Sequence, residues 1–238
     1  MNIKQITKKV YMSMPEERRD RPIVGIINGM KGVVYFDAGS SQRHAQEIIT
    51  NAEKLGLSSP SYLIISHSHT DHWFGLIEYQ APSISSRTCK KRTEELARND
   101  WGKTAYEKQV QEGHGSSFLA EILDEEYGKD RSFIALRTPE ISFEDQLEID
   151  LGDVTIHCQK INTNHSDDAI VMHIPEEKVL FLGDCLYLRT KSQTDVKKLF
   201  EQINPFNAEI FIDSHCPKIM NREEVEAYCM DYVKSLEE

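Results

Sequence analysis

The chain of 238 residues is 39% apolar, enough for a substantial core, and its formal net charge of -11 disfavours nucleic acid and anionic lipid surfaces as partners, because both carry negative charge. Five scattered cysteines without a Cys-x-x-Cys pair predict neither a disulfide framework nor a thiolate zinc site. The sequence shows no signal-peptide pattern and no apolar run of membrane-spanning length, so we expect a cytoplasmic protein.

The first part of the chain alternates short strand patterns with one amphipathic helix. Strands are predicted at residues 3–11, 23–28, 33–37 and 62–65, and a helix at 41–56. One face of that helix is apolar and carries Ala45, Ile48, Ile49, Ala52 and Leu55. Gly56 stands where a helix cap is expected. The last of these strands leads directly into a cluster of histidines.

The second part of the chain begins with a polar segment at 88–130 that is typical of helices, and we interpret this segment as a helical insertion. Further strands are predicted at 141–149, 154–158, 169–174, 179–182 and 209–212, with helices near 193–203 and 222–236. Two successive halves of strands and helices predict an α/β fold, in which two sheets pack face to face with helices outside. We therefore expect residues 1–238 to form one four-layer sandwich domain that carries the insertion.

The cluster His67-Ser68-His69-Thr70-Asp71-His72 directly follows an apolar strand. Side chains two residues apart in an extended segment point the same way, so His67 and His69 can reach one cation together. Asp71 and His72, just past the turn, can face a second cation. Imidazole and carboxylate suit zinc, iron or manganese, and hydrolytic sites commonly hold two such ions about 3.5–4 Å apart. A polar loop that is rich in histidine by chance is the alternative.

A catalytic metal needs more ligands than one loop supplies, and three further candidates lie at other strand ends. His165 lies between the strand expected to end near Ile161 and the one expected to start near Ala169, while Asp184 and His215 follow the strands 179–182 and 209–212. An isolated loop histidine is usually solvated, and strand-end aspartates often only form turns. The recurrence of such residues after apolar strands favours one shared site.

Five segments occur in an order that resembles the metallo-β-lactamase-fold hydrolases. They are 34-VYFDAG-39, 67-HSHTDH-72, 165-HSDD-168, 182-LGDC-185 and 214-SHC-216. The resemblance covers nearly the whole chain outside 88–130 and implies an αβ/βα sandwich. It implies that one metal ion is bound by His67, His69 and His165, that another is bound by Asp71, His72 and His215, and that Asp184 bridges the two. It also implies that Asp37 holds the loops of the site.

Departures from the family pattern narrow the expected activity. Asp184 stands where the best-known zinc β-lactamases of the family have a cysteine, and His72 replaces their arginine, so β-lactam hydrolysis is not expected as the native task. Oxygen-reducing diiron relatives carry a glutamate at the position of His69. Glyoxalase-type thioesterases share the ligand set, but the acidic C-terminal part shows no basic glutathione-binding region. The charge balance also argues against the RNA-binding arm of tRNA-processing relatives.

We therefore expect a metal-dependent hydrolase that uses a metal-bridging hydroxide on a small ester, lactone, thioester or related molecule. Asp71 and Asp184 are the predicted catalytic carboxylates, which accept or relay a proton. Two divalent ions are expected, with zinc foremost and manganese or iron as alternatives. A mononuclear iron enzyme that resembles persulfide dioxygenases and a non-catalytic metal-binding protein are the alternatives. The expected partner is a small-molecule substrate, and the oligomeric state stays open.

Several other residues near these motifs allow a structural and a functional interpretation. We favour a core thiol over a metal ligand for Cys185, because its side chain points opposite to that of its neighbour in an extended segment. We favour a solvated loop residue over a substrate contact for His114. Trp73 and Phe74 either wall the substrate pocket or pack in the core. Tyr187 is a candidate oxyanion donor.

Overall fold

The computed structural model describes residues 2–188 and 192–236. The strands in these ranges are β1 (Ile3–Gln5), β2 (Val10–Ser13), β3 (Gly25–Gly29), β4 (Gly32–Phe36), β5 (Tyr62–Ile65), β6 (Ser83–Ser86), β7 (Ile141–Phe143), β8 (Gln146–Asp150), β9 (Thr155–Lys160), β10 (Ile170–Ile174), β11 (Val179–Gly183) and β12 (Ile210–Asp213). The α-helices there are α1 (Gln42–Lys54), α2 (Thr70–Trp73), α3 (Arg87–Leu96), α4 (Lys103–Gln111), α5 (Ser117–Tyr127), α6 (Gln193–Ile203) and α7 (Arg222–Ser235). None of these helices combines the length and the apolarity needed to cross a membrane.

The strands form two sheets. The first has seven strands in the sequential order β1 to β7, antiparallel from β1 to β4 and parallel from β4 to β7. The second has five strands in the order β12-β11-β10-β9-β8, and only its β11–β12 pair is parallel. The carboxyl ends of β4, β5, β11 and β12 are therefore available to carry loops into one site.

Three hydrophobic clusters separate four layers. The central cluster lies between the sheets and joins Phe36 and Ile64 of the first sheet to Met172 and Phe181 of the second. A second cluster packs α1 on the outer face of the first sheet, and a third packs α6 and α7 on the outer face of the second sheet. The predicted four-layer α/β sandwich is confirmed.

The structure corrects several predicted elements. The strand predicted at 3–11 is a hairpin of β1 and β2, closed by hydrogen bonds from the amides of Ile6 and Thr7 to the carbonyl of Val10. The strand predicted at 141–149 is two strands, because β7 pairs with β6 in the first sheet and β8 with β9 in the second. Leu55 ends its helix 52% exposed instead of joining the apolar face. β6 was not predicted, since its sequence SISS is mostly serine.

The segment 88–130 contains α3, α4 and α5, so its predicted helical character is confirmed, while its status as an insertion in a single domain stays a prediction. α5 is held to the body by a set of charged and polar side chains that we call the Arg21 cluster. The cluster consists of Arg21, Ser41, Arg43, Glu47 and Glu126. The Arg21 and Glu126 side chains are each 1% exposed. The buried pair therefore fixes α5 against the 16–21 turn and α1.

Candidate metal centre

All seven side chains predicted to bind metal meet at one edge of the sandwich. We call them the site cluster, and they are His67, His69, Asp71, His72, His165, Asp184 and His215. β5 delivers the first histidines, and the short helix α2 carries Asp71 and His72. Asp184 directly follows β11, and His215 lies two residues after the end of β12. The convergence expected from the strand-end pattern is thus observed, while the metal-binding roles stay predictions.

The two sheets are joined just beneath the site. The amide of Ile170 in β10 donates across to the carbonyl of Ser66, just after β5, at 2.9 Å, while within the second sheet the amide of Ser214 donates to the carbonyl of Gly183 in β11 at 3.0 Å. Gly183 has φ +57°, and a Cβ there would lie 3.3 Å from the Ser66 Cβ. Glycine is favoured because it combines this close approach with a left-handed backbone. The residue before Asp184 therefore lets the second sheet reach the histidine loop.

One group of the site cluster is formed by His67, His69, His165 and Asp184, whose ligand atoms all lie within 4.8 Å of one another. The His165 Nε2 atom is 2.9 Å from His69 Nδ1 and 3.3 Å from Asp184 Oδ2. The His67 Nε2 atom is 3.8 Å from the same carboxylate oxygen. Three imidazole nitrogens and a carboxylate oxygen thus face a common point.

A second group is formed by Asp71, His72, His215 and, again, Asp184, under the same 4.8 Å limit. The His72 Nε2 atom is 3.0 Å from Asp71 Oδ2 and 3.3 Å from Asp184 Oδ1. The His215 Nε2 atom is 3.2 Å from Asp71 Oδ2 and 3.4 Å from Asp184 Oδ2. Asp184 is therefore the one residue that both groups contain.

The donor set fits cations. Four buried atoms of the site cluster make no aligned hydrogen bond to any described residue, although His67, His72 and Asp184 approach one another at ion-pair distances: His67 Nε2, His72 Nε2, His165 Nδ1 and Asp184 Oδ1. Buried polar atoms without partners are costly and uncommon in folded proteins, and a bound ion is one way to satisfy them. Imidazole nitrogens and carboxylate oxygens are the ligands that zinc, manganese and iron accept. Divalent metal ions would satisfy this set of atoms.

Burial favours the neutral form of two histidines in the first group, His67 and His69. Burial, with the neighbouring His72, holds the pKa of His67 well below its usual value. Burial and the neighbouring His165 likewise lower the pKa of His69. A neutral imidazole has a lone pair to offer a cation without first losing a proton.

In the second group, the histidines and the aspartates stabilise each other's charged forms. Burial opposes the positive charge of His72, yet the carboxylates of Asp71, Asp184 and Asp37 raise its pKa well above the usual value. Burial likewise opposes charge on His215, and Asp184 and Asp71 raise its pKa to about 11. Asp184 is buried, which alone would raise its pKa, but the adjacent histidines hold this pKa well below its usual range. The carboxylates of this group are therefore ionised at neutral pH.

Asp37 holds the histidine loop from below. It accepts hydrogen bonds from the Ser66 amide at 2.7 Å and the Ser66 hydroxyl at 2.9 Å, and its Oδ2 lies 2.7 Å from His72 Nδ1. It is fully buried and has φ +69°, a left-handed conformation that aspartate adopts more readily than most residues. Asp168 supports the loop from the other side, since its Oδ2 accepts from the Ser68 amide at 3.1 Å.

Burial distinguishes the structural from the functional interpretation of several other residues. Trp73 and Phe74 are 0% and 1% exposed and belong to the outer core of the first sheet, so they pack rather than line a pocket. Cys185 is buried in the core beneath α6 and α7, as favoured from the sequence. His114 is exposed. Tyr187 is 48% exposed, with its ring centroid 5.3 Å from that of His165, so its role as an oxyanion donor stays a prediction.

Two acidic residues at the site were missed by sequence reasoning. The Asp20 Oδ1 atom lies 3.5 Å from His215 Nδ1, and burial together with Asp71 raises the pKa of Asp20 to about 6. Asp213 ends β12 and accepts a hydrogen bond from the His215 amide at 3.1 Å, while burial and Asp184 raise its pKa to about 6. The strand-end pattern that selected Asp184 also marks Asp213. Nothing in the charged stretch around Asp20 distinguishes it from a solvated turn.

Comparison with known proteins gives a family and a fold. The family model described as the metallo-beta-lactamase superfamily matches residues 23–225. No curated protein matches the sequence.

Similar solved structures include a metallo-beta-lactamase from Pontibacter korlensis, with TM-score 0.63 and 16% identity over 98% of each chain. The metallo-beta-lactamase FIM-1 from Pseudomonas aeruginosa, in its mono-zinc form, has TM-score 0.64 and 15% identity over 99% of this chain and 96% of that one. The sec-alkylsulfatase Pisa1 from Pseudomonas sp. has TM-score 0.71 and 13% identity over 99% of this chain but only 41% of its own. At these identities the likeness shows the fold alone.

Proposed function

Because the chain belongs to the metallo-beta-lactamase superfamily, we propose that it is a metal-dependent hydrolase with two divalent ions bound by the site cluster. We further propose that its substrate is a small ester, lactone, thioester or related molecule. Zinc is the metal we expect, with manganese or iron as alternatives, since all three accept imidazole and carboxylate ligands.

The observation that carries this proposal is the shared position of Asp184. Its Oδ2 is 3.3 Å from His165 Nε2 of the first group and 3.4 Å from His215 Nε2 of the second group. A carboxylate with two oxygens is suited to lie between two adjacent cations. A mononuclear site would leave a complete second set of ligand candidates, Asp71, His72 and His215, without an ion to bind.

Under this proposal, His67, His69 and His165 would hold one ion, while Asp71, His72 and His215 would hold the other, and Asp184 would serve both groups. When bound, divalent ions would supply Lewis acidity, which lowers the pKa of a coordinated water towards neutrality and polarises an oxygen of the substrate.

The chain's own residues then supply orientation and proton transfer. Asp37 fixes the ring of His72 through the 2.7 Å contact at Nδ1, which leaves Nε2 directed at the carboxylates. Asp71 and Asp184 are held ionised by the adjacent histidines, so either carboxylate is able to take a proton from an attacking water. We propose these two as the catalytic carboxylates.

The exposure of the site histidines indicates the side from which a substrate would approach. His69 is exposed and the His215 side chain is 28% exposed, whereas the His67 and His72 side chains are 1% and 0% exposed. Substrate would therefore meet the site from the side of His69 and His215. Since the sec-alkylsulfatase is one of the structural neighbours, sulfate esters belong in the substrate panel beside carboxylic esters, lactones and thioesters.

The experiment is metal analysis of protein purified without chelators and reconstituted with zinc, followed by assays on this panel. We expect about two ions per folded chain and turnover that is lost in His69→Ala. His114→Ala is the matched control, because His114 is an exposed histidine in the loop between α4 and α5. A content of one ion or fewer contradicts the two-ion proposal. Equal turnover by His69→Ala and the unsubstituted protein shows that the activity arises elsewhere.

A further inference from the structure

The turn at residues 16–21 brings Asp20 to the outer side of His215. The Nδ1 atom of this histidine lies 3.5 Å from Asp20 Oδ1. The other ring nitrogen, Nε2, lies 3.2 Å from Asp71 Oδ2 and 3.4 Å from Asp184 Oδ2. One nitrogen of the ring thus faces the site, and the opposite nitrogen faces Asp20.

Backbone hydrogen bonds hold the turn in this place. The Glu16 and Arg21 backbones exchange two hydrogen bonds of 3.0 Å each, which close the turn. Asp20 takes the left-handed conformation at φ 49°. The Ile23 amide donates to the Ser214 carbonyl at 2.7 Å, so the chain just after the turn is tied to the residue just before His215.

The side chain that follows Asp20 anchors the turn to the helical segment. Arg21 donates through Nη2 to Glu126 of α5 at 3.1 Å and through Nη1 to Glu47 of α1 at 3.1 Å. These contacts lie outside the site cluster. The position of Asp20 is therefore fixed by interactions that do not depend on the site.

We propose that Asp20 is a positioning residue for His215. Its carboxylate accepts a hydrogen bond from Nδ1–H, which fixes the ring orientation and the tautomer, so that Nε2 faces the side of Asp71 and Asp184 with its lone pair left for a cation. Carboxylates that contact the distal nitrogen of a metal-binding histidine raise metal affinity, and their loss typically weakens it about 10- to 100-fold. This inference rests on the proposed metal-binding function of the second group.

The test compares Asp20→Asn with Glu17→Gln. Asparagine keeps the size of the side chain and tolerates the left-handed backbone, while it removes the charge. Glu17→Gln makes the same charge change at an exposed position of the same turn. Zinc affinity is measured by calorimetry in competition with a chelator, and the thermal unfolding of both variants in EDTA verifies that they are folded.

A second readout follows the ring itself. In the zinc-loaded protein, two-bond ¹H–¹⁵N correlation of the histidine rings reports which nitrogen of His215 carries the proton and how strongly that proton is hydrogen-bonded. The resonance is assigned by its loss in His215→Gln. We expect Asp20→Asn to shift the Nδ1 proton of His215, which a general loosening of the fold would not do selectively.

The expected result is a 10- to 100-fold weaker affinity of Asp20→Asn for its most weakly bound zinc ion, with Glu17→Gln unchanged. Affinities of Asp20→Asn within about twofold of the unsubstituted protein, or an unshifted His215 resonance, overturn the role of Asp20 and leave the proposed hydrolase standing. If the unsubstituted chain binds no zinc at all, both proposals fail.

Discussion

Two buried sets of charged side chains, the site cluster and the Arg21 cluster, are built from similar groups but differ in how their polar atoms are satisfied. In the Arg21 cluster, each guanidinium nitrogen of Arg21 donates to a carboxylate: Nε and Nη2 to Glu126, and Nη1 to Glu47. Glu126 also accepts from the Ser41 hydroxyl at 2.6 Å. In the site cluster, by contrast, three histidine nitrogens and one oxygen of Asp184 have no hydrogen-bond partner among the described residues.

The difference separates a cluster that holds the fold together from the candidate metal centre. Buried polar groups that pair fully with each other need no further partner, and they hold elements of the fold together. Buried imidazole and carboxylate groups whose free atoms point at one another leave room for cations. Burial and charge are common to both clusters, so the convergence of unpartnered imidazole and carboxylate atoms is what distinguishes the site cluster from the Arg21 cluster.

The largest expected effect comes from the residue that both halves of the site share. Asp184→Asn removes the charge between the two groups while it preserves the shape of the side chain. Metal ions supply several kcal/mol of transition-state stabilisation, so we expect turnover to fall about 10³-fold, equivalent to roughly 4 kcal/mol. Steady-state assays on the best substrate of the panel measure this loss. Asp231→Asn, an exposed position on α7, is the control, and equal activity of the two variants would remove Asp184 from the mechanism.

Substitution in the Arg21 cluster should lower the free energy of unfolding instead of turnover. Glu126→Gln leaves the buried Arg21 charge without its main partner, and breaking a buried pair in this way costs about 3–5 kcal/mol of unfolding free energy. Glu125→Gln is the matched control, because Glu125 pairs with the exposed Arg18 and such pairs contribute about 0–1 kcal/mol. Urea unfolding in EDTA measures both. Similar costs for the two variants would mean that the Arg21 cluster does not hold α5 in place.

Metal binding should release protons from the second group of the site cluster. The pKa of His215 is raised to about 11 and that of His72 well above its usual value, so both rings are protonated in the metal-free protein at neutral pH. Coordination requires neutral imidazole, and zinc binding at pH 7 should therefore release on the order of two protons. The apparent affinity should rise with pH, since fewer protons then compete.

Calorimetry in buffers of different ionisation enthalpy measures this release. The Arg21 cluster contains no group of this kind, so Glu126→Gln should release the same number of protons as the unsubstituted chain. Zinc binding without any proton release would show that the second group does not take part.

The smallest effect is expected at Cys185, next to Asp184 in sequence. Its side chain is buried in the apolar core beneath α6 and α7, so Cys185→Ala should cost about 1 kcal/mol of unfolding free energy and leave the zinc content unchanged. Urea unfolding and metal analysis provide the two measurements. A loss of zinc in the folded variant would make the thiol a ligand.

The sequence predicted the convergence of the seven side chains better than it predicted the strands around them. Each ligand candidate follows or precedes an apolar strand, and parallel strand ends meet at one edge of a fold, so local patterns were enough to select His165, Asp184 and His215. The split of 141–149 between two sheets depends on which neighbours are present in space. The serine-rich strand β6 is defined by pairing with β5 and β7, and its composition carries no strand signal.

The Arg21 cluster and Asp20 could not be predicted for the same reason. Arg21 and Glu126 are 105 residues apart, and each lies in a stretch of charged residues that is typical of a solvated surface. Only the docking of α5 on the 16–21 turn buries them. Asp20 gains its contact with His215 through that turn, so its place depends on the tertiary fold alone.

Anomalous diffraction at the zinc edge, from crystals of the zinc-loaded protein, tests the central claim most directly. Our account predicts two peaks about 3.5–4 Å apart, one among His67, His69 and His165, the other among Asp71, His72 and His215, with the Asp184 carboxylate between them. A single peak, or a site without any peak in a crystal that holds zinc elsewhere, would contradict it.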